Sequence, residues 1–91
     1  MYFAIAVYRC YVASKYTGDI DIQCFYFDKD SDEQVTSAIH ERGNEVYTNS
    51  NGELVEWILD EIVTIEEVGK LKSGEEVIGF ICHENSFVKP D

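Results

Sequence analysis

Cys82 and His83 stand side by side, and chemistry in this chain is sought there first. A thiolate next to an imidazole can act as a nucleophile with its base, or as two metal ligands. Adjacent residues on a strand point to opposite faces, however, so these two cannot readily share a site. His40 is the only other histidine, and the chain has neither a C-x-x-C pair nor an H-x-x-x-H pair, so zinc spacing is absent. Asp28-x-Asp30-x-Asp32 opens like a calcium loop. Glu33 then stands where the sharp turn needs glycine, and Ile39 stands where a bidentate glutamate belongs. Glu66-Glu67 and Glu75-Glu76 are carboxylate pairs of the kind that loops leave solvated. There is no glycine-rich phosphate loop, no serine elbow and no basic aromatic patch. These residues assign no catalytic residue, no metal and no cofactor. They leave an acidic group, Asp28, Asp30, Asp32 and Glu33, as a candidate surface for a partner.

The charge balance narrows the partner. The chain has 91 residues and a formal net charge of −11. Phosphate backbones and anionic membranes would repel such a surface, so neither nucleic acid nor membrane is expected. Its length fits one domain, large enough to bury about 60–65% of the unfolded surface without a metal or disulfide staple. Met1–Tyr8 is apolar, but no basic segment precedes it and Arg9 breaks it early, so it does not read as a leader. Cys10, Cys24 and Cys82 are odd in number and lie in apolar stretches, which predicts reduced core thiols in a cytoplasmic protein.

The elements that must position these residues follow from periodicity. Tyr2 to Val12 reads as a strand rich in Tyr, Val and Ile. Asp19 to Phe27 reads as a second, with Ile20, Ile22, Cys24 and Tyr26 alternating against Asp19, Asp21 and Gln23. The Ser14–Gly18 loop joins them as an antiparallel hairpin. A loop centred near Tyr16 or Thr17 pairs even positions with even. The core face would then carry Tyr2, Ala4, Ala6, Tyr8, Cys10, Val12, Ile20, Ile22, Cys24 and Tyr26. Ser31 followed by Gln34 forms a capping box, Asp32 and Glu33 suit the first turn, Val35, Ala38 and Ile39 form a stripe with the stem of Arg42, and Gly43 stops the helix. Val46 to Thr48 is a short strand, and Glu76 to Cys82 a last one. Residues 1–84 read as the domain and 85–91 as a tail.

The run from Asn51 to Ile65 is ambiguous. Leu54, Val55, Ile58, Leu59, Ile62 and Val63 fit one side of a helix. Asn51-Gly52 equally fits a two-residue hairpin turn, and the run is rich in strand-favouring residues. If Ser50 and Glu53 close that turn, one face reads Val46, Thr48, Val55, Trp57, Leu59, Val63 and Ile65, with Glu61 as its single misfit. Pattern alone leaves both readings open.

The order of elements, the Asn-x-x-Gly-Glu turn (Asn49, Gly52, Glu53) leading to Val55 and Trp57, and the late Gly-x-Glu-Val (Gly74, Glu76, Val77) together resemble the small bacterial proteins of domain-of-unknown-function family 4288. The resemblance spans nearly the whole chain on short motifs, none of them catalytic. It implies that the Trp57 run is a strand. It implies no activity and carries over no functional residues.

The expected fold is therefore α+β: an antiparallel sheet of about five strands in the order β-β-α-β-β-β, with one helix on one face. The expected function is a non-catalytic acidic interaction protein, of the inhibitor or immunity type, that binds a basic partner. The alternative is a small enzyme or ligand-binding subunit with an aromatic-lined cleft beside Tyr2, Tyr8, Tyr26 and Trp57. A deep pocket converging on a perturbed carboxylate or on Cys24 would favour the alternative. One helix covers one sheet face, so Phe3, Ile5, Val7, Phe25 and Phe27 are expected on the other, buried by a second copy in a homodimer.

Overall fold

A computed structural model describes residues 1–77. Within them the chain is α+β, with strands β1 (Tyr2–Val12), β2 (Lys15–Phe27), β3 (Glu45–Thr48) and β4 (Leu54–Glu67), and one helix, α1 (Asp32–Arg42). The four strands form one antiparallel sheet in the order β2-β1-β4-β3. The strand expected over 76–82 lies, past Val77, outside the described residues, as do Cys82, His83 and the tail.

Helix α1 starts and stops where its residue types dictate. The Ser31 hydroxyl accepts the Gln34 N–H at 3.3 Å. The Gln34 side chain reaches back to the Asp30 N–H at 2.8 Å, one residue earlier than a strict capping box would place it. Gly43 takes φ 69° and its N–H caps the His40 carbonyl at 3.0 Å. Val35 and Ile39, both 0% exposed, pack into a core with Tyr2, Ala4, Ala6 and Tyr8 of β1. The small Ala4 and Ala6 let the helix lie close on the central strand.

The first hairpin is not in the expected register. Its turn is the two-residue Ala13-Ser14, at φ 48° and 67°, rather than the loop 14–18. Val12 pairs with Lys15, and further along Ala4 pairs with Phe25 and Ile5 with Cys24, so even residues face odd ones. Shifting a strand by one residue sends every side chain to the opposite face. The helix side of β2 therefore carries Asp21, Gln23, Phe25 and Phe27, and Ile20, Ile22, Cys24 and Tyr26 point away from the helix. Gly18, at φ 89°, serves an irregularity within the hairpin rather than its turn. There the Thr17 hydroxyl donates to the Cys10 carbonyl at 3.1 Å.

The Trp57 run is a strand of 14 residues, as the resemblance implied. Its turn is also one residue away from expectation. Thr48 pairs with Leu54 and Glu45 with Trp57. The five-residue loop between them is built on Asn49, whose side-chain oxygen accepts the N–H groups of Asn51 and Glu53, each at 3.0 Å. Two register shifts against β1 then leave Asp60 and Val63 unpaired. They bring Ile62 opposite Ala6 and Ile65 opposite Ala4, and place Glu61 opposite Val7 on the far side. The misfit glutamate is thus removed from the core, and Val63, expected inside, is exposed. Tyr47 and Ile62 lie on the helix side, and Val46, expected on the core face, points away from it.

Candidate functional site

Two regions gather functional side chains: the start of α1 and the sheet face opposite it. Asp28, Asp30, Asp32 and Glu33 are all exposed where β2 runs into the helix. Asp28, Asp30 and Glu33 line a shallow open depression of about 560 Å³ with Lys29 and Glu41. Asp32 and Glu33 sit in the first turn, where the helix dipole favours negative charge. Among the described residues no three His, Cys, Asp or Glu side chains are placed to hold one metal ion.

Tyr2 ties this corner to the end of β4. Its hydroxyl donates to Glu67 Oε2 at 3.0 Å and lies 3.4 Å from the Asp30 carbonyl. The Glu67 hydrogen bond pushes the Tyr2 hydroxyl above its ordinary value. Burial and the negative charges of Glu67, Asp32 and Glu33 add to this. A raised folded value favours the protonated phenol in the fold. The stabilisation is therefore complete below about pH 10 and is lost as pH rises through the folded value. The difference in denaturant midpoint between the wild type and Tyr2→Phe is expected to hold from neutral pH to about pH 9 and to shrink above about pH 10. A difference that is unchanged through strong alkali would contradict the bond.

The face opposite the helix collects Phe3, Ile5, Val7, Arg9 and Tyr11 of β1 with Tyr16, Ile20, Ile22, Cys24 and Tyr26 of β2. Ile58 and Leu54 of β4 join them, with Val46 of β3. Four aromatic or charged contacts order this face. Phe3 and Tyr26 stack at 5.7 Å between ring centres, and Tyr11 and Tyr16 at 5.5 Å. Arg9 donates to the Tyr16 hydroxyl at 2.8 Å and pairs with Asp60 at 3.0 Å, the one ion pair among the described residues. Even so, Ile20 is 48% exposed, Ile22 58% and Tyr26 52%.

The five residues expected to form one patch are split by the hairpin register. Phe3, Ile5 and Val7 lie on the uncovered face, with Ile5 already buried within the chain. Phe25 and Phe27 lie on the helix side, packed against the core, and the Arg42 guanidinium stacks 4.6 Å from the Phe25 ring centre. Ile20, Ile22 and Tyr26 were placed in the core by their alternation and are instead the exposed part of the patch. That alternation was the correct signal for an apolar face, and only the turn position assigned it to the wrong side.

The same register separates the cysteines. Cys10 is buried on the helix side, and Cys24 is exposed on the other; both are free thiols. The aromatic residues named for a cleft also divide. Tyr8 and Trp57 line a cavity of about 270 Å³ at the end of α1, Tyr2 lies at the opposite end of the helix, and Tyr26 is on the other face. Glu45 is the carboxylate in the lining of that cavity, and Cys24 does not reach it.

Comparison with protein-family models, with curated proteins and with solved structures finds no match to this chain. The geometry is the whole basis for a functional reading.

Proposed function

We propose that this is a non-catalytic acidic interaction protein that buries its uncovered sheet face against a second copy of itself. The observation that supports it is the orientation of β2. This edge strand alternates apolar and polar residues cleanly, yet its apolar side, Ile20, Ile22 and Tyr26, is turned away from the helix and the core. Soluble monomers rarely leave such a patch open to water. The strand is 13 residues long and carries no proline, and its only lysine is Lys15 at the start, so past the irregularity at Gly18 its edge is guarded only by Asp19 and Asp21. On β4 this face carries Glu56, Glu61 and Glu66, with Glu56 between Tyr11 and Val46, so the area free of carboxylates is the part formed by β1 and β2.

The acidic start of α1 lies at the sheet end near Tyr2 and remains free in such a dimer. It suits a basic protein partner of the kind an inhibitor or immunity protein caps. That contact would weaken as salt screens exposed charges beyond about 8–10 Å at physiological ionic strength.

Sedimentation of the wild type and Ile22→Asp at micromolar concentration tests the dimer. The wild type is expected at twice the monomer mass and the variant, with a charge in the middle of the patch, at monomer mass with the fold intact. A wild type that stays monomeric and soluble would overturn the proposal.

A further inference from the structure

The cavity at the C-terminal end of α1 has a chemistry that the interaction reading does not use. It lies on the helix side of the sheet, and Tyr8, Gln23, Arg42, Asn44, Glu45 and Trp57 line it. Tyr8 is 4% exposed, yet its hydroxyl makes no hydrogen bond to any described residue. No fully enclosed side-chain polar atom among those residues lacks a partner, and Tyr8 is one of the residues that line the cavity. A phenol held in a core usually finds a protein partner. This one is left for something that enters the cavity.

Arg42 is the second anomaly. The chain has 18 acidic residues against 7 basic ones, and Arg42 nevertheless pairs with no carboxylate among the described residues. Its guanidinium is instead held on the Phe25 ring at 4.6 Å. Stacking fixes the plane of the fork and leaves its N–H groups free, an arrangement suited to a carboxylate. Asn44 is fixed as well, because its side-chain oxygen accepts the Leu59 N–H at 2.9 Å. Its amide N–H groups are thereby left without that partner. The Trp57 indole donates to the Tyr47 hydroxyl at 3.3 Å, which holds the ring as a wall of the cavity.

We propose that this cavity binds a small planar monocarboxylate. The carboxylate bridges the Arg42 guanidinium and the Tyr8 hydroxyl, and the planar body lies along Trp57. The nearby end of the helix dipole opposes an anion. It acts only within the last turn and is screened, however, and one of its carbonyls is capped by Gly43, so a fork-held carboxylate outweighs it. Glu45 is the one carboxylate in the lining and sets the limit of a single negative charge. The volume, about 270 Å³, falls below the usual range for drug-sized ligands and restricts the class to small molecules.

The chain has one tryptophan, so its indole N–H resonance reports on this cavity alone. Titration with benzoate is expected to shift that resonance saturably, with a dissociation constant on the order of a millimolar for so small a ligand. Benzamide, neutral and of the same shape, and benzylamine, a cation, are expected to bind at least about ten-fold more weakly, because the paired charge is lost. Arg42→Gln, at an exposed position in the last turn of α1, is expected to lose about ten-fold for benzoate and nothing for benzamide. Tyr8→Phe is expected to weaken benzoate with the rest of the spectrum unchanged. Benzylamine or benzamide binding as well as benzoate would overturn the proposal. So would an Arg42→Gln variant that keeps its benzoate affinity, or the absence of any saturable shift. None of these readouts depends on the oligomeric state.

Discussion

Ile39→Ala is expected to lower the unfolding free energy by about 2–5 kcal/mol. Ile39 and Val35 are the two fully buried side chains of α1, and the helix meets the sheet chiefly through them. Truncating one leaves a void against Ala4 and Ala6, whose backbone is pinned between β2 and β4 and cannot collapse into it. A domain of this size has roughly 5–15 kcal/mol in total, so the loss is a large share. Trp57→Ala should cost less than the same change at a fully buried aromatic, because Trp57 is only half-buried and hydrogen-bonds to Tyr47 at the sheet edge. Denaturant unfolding of the three proteins gives the order. A loss below about 1 kcal/mol at Ile39 would mean that the helix does not rest on this face.

What could be read from the sequence divides along a physical line. The helix was legible because its signals are local: the Ser31 cap, the acidic first turn, the Val35 and Ile39 stripe and the Gly43 stop act within a few residues of chain. The acidic surface at Asp28, Asp30, Asp32 and Glu33 was legible for the same reason. The Trp57 run was ambiguous on pattern because apolar residues stand on both of its faces: Val55, Leu59 and Ile62 face the helix, and Leu54 and Ile58 the other side. The bulges lengthen the spacing of the core-facing residues from two to three, so strict alternation fails as well. Bulges are set by the partner strand, here by how Ala4, Ala6 and Tyr8 must be matched, and one strand read alone does not show them. The uncovered face was legible as a kind of surface, though not in its members. Phe3, Ile5 and Val7 lie on the face expected of them; Phe25 and Phe27 change places with Ile20, Ile22 and Tyr26 because the turn is at Ala13-Ser14 and not at Tyr16 or Thr17. The cavity at Tyr8 and Arg42 left no local signal, since its walls come from β1, β2, the end of α1, β3 and β4.

That turn supplies the second large effect. Replacing Ala13-Ser14 with Asn-Gly is expected to stabilise the protein by about 1–2 kcal/mol. Both residues hold positive φ, 48° and 67°, a region where an L side chain crowds the following carbonyl. A two-residue turn of this hand needs that conformation at both positions, and asparagine and glycine adopt it with least strain. Part of the gain at glycine is returned through the greater freedom of the unfolded chain, which keeps the net effect near the lower figure. Ala13→Val is expected to act in the opposite direction by about 1–2 kcal/mol, because a β-branched side chain is worst at positive φ. The signs are what decide the register. If the hairpin instead turned at Tyr16 and Thr17, residues 13 and 14 would lie in extended strands. Glycine there would cost roughly 0.5–1 kcal/mol and valine would be favourable. Denaturant melts of the two variants therefore distinguish the two pairings of β1 with β2. With them they distinguish whether Ile20, Ile22 and Tyr26 face the core or the surface that a second copy would cover.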